Sequence, residues 1–154
     1  MSFEEPGFDS QDEEEIPPFR VFIFHGRNPL WKELADFIWK KLEIETVALR
    51  EEDGGGDVID IDALDRATED ASHAVVVVTA DDNRESMAHA IGYFQGLYGP
   101  ANVLVLREKS VEDFTVVTGT ISETFDGRNI SHAFPAVAEE IEASKEEYDQ
   151  VDDD

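Results

Sequence analysis

The chain has 154 residues, 41% of them hydrophobic, and no cysteine; that is enough for one packed domain and excludes disulfides and Cys-based zinc sites. It carries 37 acidic against 12 basic residues, a net charge of −25 with no visible basic patch, which argues against direct binding to nucleic acid. The start is acidic rather than cationic-then-apolar, and the longest apolar run, residues 74–78, is too short to span a bilayer, so a cytoplasmic protein with no membrane partner is expected.

Residues 1–18 hold seven acidic residues and three prolines and are expected to be a disordered acidic tail. A single folded domain is expected over 19–144, followed by an acidic C-terminal tail over 145–154, with a frayed helix end leading into it. A net charge this large self-repels unless salt screens it, which points to adaptation to high salt. The histidines are His25, His73, His89 and His132; no two share an element at ligand spacing, so no metal site is expected.

The elements follow in chain order. Residues 20–26 (RVFIFHG) read as a buried strand ending at a glycine. Residues 29–42 read as an amphipathic helix, with Pro29 in its first turn and Leu30, Leu34, Phe37 and Ile38 on one face. A second strand covers 45–50 and a loop 51–57. Residues 58–70 are helical by composition, although their VIDID start also reads as strand. Residues 73–80 (HAVVVVTA) have the continuous apolar run of a central parallel strand. Residues 84–99 form a helix ended by Gly99-Pro100, with Met87, Ile91, Phe94 and Tyr98 on the core face. Gly92 and Gly96 are expected to mark a second face where something packs closely. Strands follow at 102–108 and 118–125, and a last helix at 130–144. This alternation predicts an α/β, flavodoxin-like, three-layer fold: a five-stranded parallel sheet with helices on both faces. Ligands of such folds bind beyond the carboxyl ends of the strands.

Attention therefore falls on three loops. After the first strand, Gly26 allows close backbone approach to a ligand, while His25 and Arg27 can serve a phosphate or ribose, or be a strand-end histidine and a solvated arginine. Gly54-Gly55-Gly56 precede a helix, where backbone N–H groups can cradle phosphate, but Glu51, Glu52, Asp53 and Asp57 would repel it, and a plain connector is the alternative. After the central strand, Thr79, Asp81 and Asp82 can reach a ribose or a cation, or cap the helix that starts near Asn83. Glu85 and His89, four apart, can form a solvated pair.

Taken together, VFIFHGR at 21–27, the glycine loop at 54–56, HAVVVVTADD at 73–82, IGYFQGLYG at 91–99 and NVLVLRE at 102–108 resemble the TIR-like domains of predicted nucleotide-binding proteins, the effectors of cyclic-nucleotide anti-phage signalling. The resemblance covers roughly residues 20–141. It implies a pocket for NAD or a related nucleotide, with His25, Gly26, Arg27, Gly56, Thr79, Asp82 and Ser86 as ligand-binding residues and NAD as substrate or ligand, no other cofactor being required. In active members it implies cleavage of the nicotinamide–ribose bond, which makes them NAD glycohydrolases of prokaryotic defence or signalling. It also implies TIR–TIR self-association or a separate sensor protein as partners. One departure stands out. Active members place a catalytic glutamate where this chain has Ala90, and an asparagine where it has Ser86. Alanine cannot stabilise an oxocarbenium-like transition state. Glu85, Asp81 and Asp82 are the nearest substitutes, and an inactive interaction or regulatory module is the alternative. Because glutamate is a good helix former, Ala90→Glu is expected to be tolerated.

Overall fold

The computed structural model describes residues 16–49, 60–113 and 119–153, with the side chains of 151–153 excepted. The elements are β1 (Val21–Phe24), α1 (Trp31–Phe37), β2 (Thr46–Val47), α2 (Ile61–Thr68), β3 (His73–Val78), α3 (Arg84–Tyr98), β4 (Val103–Glu108), β5 (Ile121–Phe125) and α4 (Phe134–Asp153). Every strand pairing is parallel, in the order β2-β1-β3-β4-β5. This is the expected five-stranded α/β sheet. The chain leaves β1 toward one edge and returns past it to β3, so the topological switch point lies between the carboxyl ends of β1 and β3.

Alternation along the strands splits the core into two layers. Val21, Ile23, Val75, Val77, Leu104 and Leu106 face α1 and α4, where Leu34, Ile38, Val137 and Ile141 meet them. Phe22, Phe24, Ala74, Val76, Val78, Val103 and Val105 face α2 and α3, where Leu64, Met87, Ala90, Ile91 and Phe94 meet them. Of the residues whose spacing predicted a core face, Leu30, Leu34, Ile38, Met87, Ile91 and Phe94 are buried, while Phe37 and Tyr98 are half-buried.

Several local differences have physical causes. α1 begins at Trp31, not Pro29, because the Asn28 side chain accepts from Leu30 N–H (3.0 Å) and turns the chain first. Residues Ile38–Leu42 widen into a π-helical turn that ends at Glu43 in the left-handed region (φ 58°). The VIDID ambiguity resolves as helix from Ile61 onward, since Asp60 caps α2 by accepting from Ala63 N–H at 3.2 Å; residues 58 and 59, like Gly54–56, lie outside the described residues. Gly92 and Gly96 do not mark a packed face. A Cβ at either would meet nothing within 4 Å, because this side of α3 is open.

Over the acidic C-terminal stretch, expected as a frayed helix end plus tail, the helix continues to Asp153. Tyr148 docks this last stretch: its hydroxyl donates to the Pro17 carbonyl and its ring meets Phe19 edge-on at 5.5 Å. Lys145 and Asp149, one turn apart, add an exposed ion pair at 2.8 Å. Of the predicted N-terminal tail, only residues 16–18 are described.

Candidate functional site

The ends of β1 and β3 carry most of the residues singled out above. His25 is nearly buried. Its Nδ1 lies 2.8 Å from the Gly26 carbonyl, and its ring stacks on Trp31 with centroids 3.9 Å apart and planes 9° from parallel. Gly26 does leave room for a close approach, but a side chain of this chain takes it. A Cβ at 26 would overlap Asp82 Oδ1 and lie 2.7 Å from Asp82 Cγ. Arg27 is exposed and makes no ion pair among the described residues.

The TADD segment is a self-bonded turn. Asp82 Oδ2 accepts from Thr79 N–H at 2.7 Å and lies 3.1 Å from Thr79 Oγ1, while Asp81 Oδ1 accepts from the same hydroxyl. One hydroxyl proton thus serves two carboxylates. Ala80 N–H donates to Glu108 Oε1 at 2.8 Å, tying the turn to the end of β4. Burial pushes the Asp82 carboxyl above the usual aspartate range. The two Thr79 hydrogen bonds oppose that rise, and the charges of Asp81 and Glu108 add to it. Neither aspartate caps α3; Asn83 does, accepting from Ser86 N–H at 3.0 Å.

The remaining assignments separate. Ser86 is half-buried in the first turn of α3, and Glu85 and His89 are exposed without a bond between them. Ala90 is completely buried in the layer formed with Phe22, Phe24, Leu64 and Phe94. That burial counts against the expectation that Ala90→Glu is tolerated: helix propensity permits it, but the carboxylate would have to be buried or to displace α3. Gly56 lies outside the described residues. The structure adds Trp31 and Glu108 to the site. Trp31 carries no motif in sequence, and Glu108 closes the NVLVLRE segment without being singled out; position, just past β1 and at the end of β4, could have pointed to both.

Charge around the strand ends is uneven. Carboxylates cluster on the β3 and β4 side. The arginines nearby are engaged: Arg107 with Ser122 Oγ, the Val111 carbonyl and Asp113, and Arg84 with Glu112 at 3.7 Å. On the β1 and α1 side lie Arg27 and Lys32, neither in an ion pair among the described residues; Lys32 Nζ stands 6.0 Å from the centroid of Trp31.

A parallel sheet in the order 2-1-3-4-5, with this aromatic and polar cluster at its switch point, defines a flavodoxin-like α/β domain. The chain belongs to the family described as the TIR domain of CAP12/Pycsar effector proteins, whose model matches residues 20–127. It is similar to the uncharacterized protein YuaY of Escherichia coli (strain K12), with 29% identity over 121 residues; the match covers 70% of this chain but only 40% of that protein's length. Among solved structures it is similar to the SEFIR domain of IL-17 receptor B, with a TM-score of 0.49 and 12% identity over 84% of this chain and 99% of that one. No helix among the described residues is long and apolar enough to cross a membrane.

Proposed function

We propose that this domain binds NAD or a related nucleotide at the switch point and does not cleave it, acting as a regulatory TIR-like module of an effector system. Family membership and the position of His25, Arg27 and Thr79 at the strand ends support the binding. The observation that carries the loss of cleavage is Ala90, an alanine with no exposed surface in the apolar layer between α3 and the sheet, at the position where the resemblance places the catalytic glutamate. The substitutes are poorly placed to replace it. Asp81 and Asp82 are turned onto Thr79, and Glu85 points from the exposed face of α3. Each aspartate accepts from Thr79 through one carboxylate oxygen, which fixes its orientation toward the turn and away from α3.

The deciding experiment incubates the full chain with NAD in molar KCl, following heat of binding by calorimetry and nicotinamide release by chromatography. Binding without release is the expected result. Rapid release by the wild type would overturn the loss of cleavage; no heat with NAD or its fragments would overturn the binding and favour a module that acts only through protein contacts.

A further inference from the structure

We propose that the Trp31–His25 stack is the base-recognition surface of this domain, and that it takes the adenylate half of a dinucleotide. The proposal rests on the nucleotide-binding reading and deepens it.

Trp31 is partly exposed and is packed on two sides. One ring face rests on an imidazole that is itself nearly buried, at a separation of 3.9 Å and an angle of 9°. The indole also packs against the core layer that contains Leu30 and Leu34. An aromatic ring ordered before the ligand arrives loses little entropy on binding, which is what a stacking platform requires. It stands at the carboxyl end of β1, beside the switch point.

Charge selects the kind of ring. Lys32 Nζ lies 6.0 Å from the Trp31 centroid, and Arg27 is the exposed guanidinium between β1 and α1. A cationic pyridinium placed on Trp31 would meet Lys32 as a like charge. A neutral purine would not, and its phosphate would gain from both cations. On the other side, Asp81, Asp82 and Glu108 disfavour phosphate over β3 and β4. The phosphate is therefore directed toward α1, and the base with it.

The chain contains two tryptophans, and this makes a direct test available. Trp39 is 57% exposed and lines a separate groove with Arg20, Glu45 and Thr46, at the amino ends of β1 and β2. Trp39→Phe leaves Trp31 as the sole indole. In that variant, AMP should quench Trp31 emission saturably, with the same midpoint as its calorimetric titration. Adenosine should bind more weakly, and Arg27→Ala should close the gap between AMP and adenosine. Trp31→Ala should weaken AMP binding roughly five- to a hundredfold, with Trp31→Phe recovering most of it. Calorimetric binding of AMP with unchanged Trp31 emission would overturn the platform while leaving nucleotide binding intact. Quenching by nicotinamide mononucleotide in preference to AMP would overturn the choice of base. An absence of heat with AMP, nicotinamide mononucleotide and NAD alike would overturn this proposal together with the nucleotide-binding reading beneath it.

Discussion

Asp82 Oδ1 occupies the space that a Cβ on Gly26 would fill, so the carboxyl ends of β1 and β3 are locked together at the switch point by a carboxylate pressed against a glycine. Glycine is needed here for close approach, not for an unusual backbone angle, since Gly26 is absent from the positive-φ glycines.

Gly26→Ala should therefore act through Asp82. The added methyl expels the carboxylate, and the bonds from Thr79 N–H and Oγ1 break with it. Urea unfolding should report a loss of about 1–3 kcal/mol. Asp82→Ala should make the same methyl tolerable, so the double variant should be more stable than the sum of the single losses implies, by roughly 0.5 kcal/mol or more. Additive losses would mean that Gly26 is required for something other than Asp82.

A second prediction concerns acid. His73 opens β3, pairs in register with Val21, and is almost fully buried against Phe19, with no hydrogen-bond partner for its Nδ1. Burial lowers its pKa to about 4 from an ordinary value of 6.5. Because the folded value is the lower one, the neutral imidazole contributes stability that is fully present above pH 6.5 and is lost as the pH falls toward 4. The shift amounts to on the order of 3 kcal/mol at full expression. His73→Phe keeps an apolar ring beside Phe19 and removes the titration. Wild type minus variant, measured by chemical unfolding from pH 7.5 to 4, should slope downward through that window. Parallel curves would place the acid sensitivity among the carboxylates instead.

Such details were unevenly legible in the sequence. The apolar run of β3 and the 3.6-residue spacing of Met87, Ile91 and Phe94 gave the sheet and its helices directly, because burial is written in periodicity. The end of α4 was hidden. Its acidic composition reads as a frayed helix end plus tail, and among the described residues the docking contact comes from Tyr148. The glycines of α3 misled because a small residue is equally suited to a tight contact and to open solvent. At the site, strand-end position identified His25, Gly26 and the TADD turn, but not what they touch. That Asp82 lies on Gly26 and Trp31 on His25 depends on how separate loops meet in space, and no local spacing encodes it.

Salt dependence should be steep. With a net charge of −25 on 154 residues, self-repulsion opposes the compact state at low ionic strength. Screening shortens the Debye length to about 10 Å at 0.1 M, so repulsion among exposed charges is largely relieved within a few tenths molar salt. Adaptation to high salt predicts a melting temperature that continues to rise beyond that, into molar KCl, in differential scanning fluorimetry. A plateau near 0.2 M would reduce the effect to ordinary screening, and a flat profile would remove even that.

The last prediction sets packing against propensity at residue 90. Ala90 has no exposed surface and belongs to the apolar layer that contains Phe22, Phe24, Leu64 and Phe94. Ala90→Glu must either bury a carboxylate among these rings or push α3 away from the sheet. An unpaired buried charge and an overpacked core are both among the few causes of large single-residue losses, here at least about 3 kcal/mol. Glutamate's high helix propensity offsets none of this, because the cost lies between elements and not within the helix. Ala90→Gln removes the charge but keeps the bulk, so the difference in stability between the two variants, followed from pH 8 to 5, separates the two costs. If charge dominates, Ala90→Glu should recover toward Ala90→Gln as the carboxylate protonates. The refolded Ala90→Glu protein should release no nicotinamide from NAD. A stable Ala90→Glu variant that cleaves NAD would show that the layer beneath α3 opens readily into a cleft, and that a single buried methyl is all that separates this chain from a glycohydrolase.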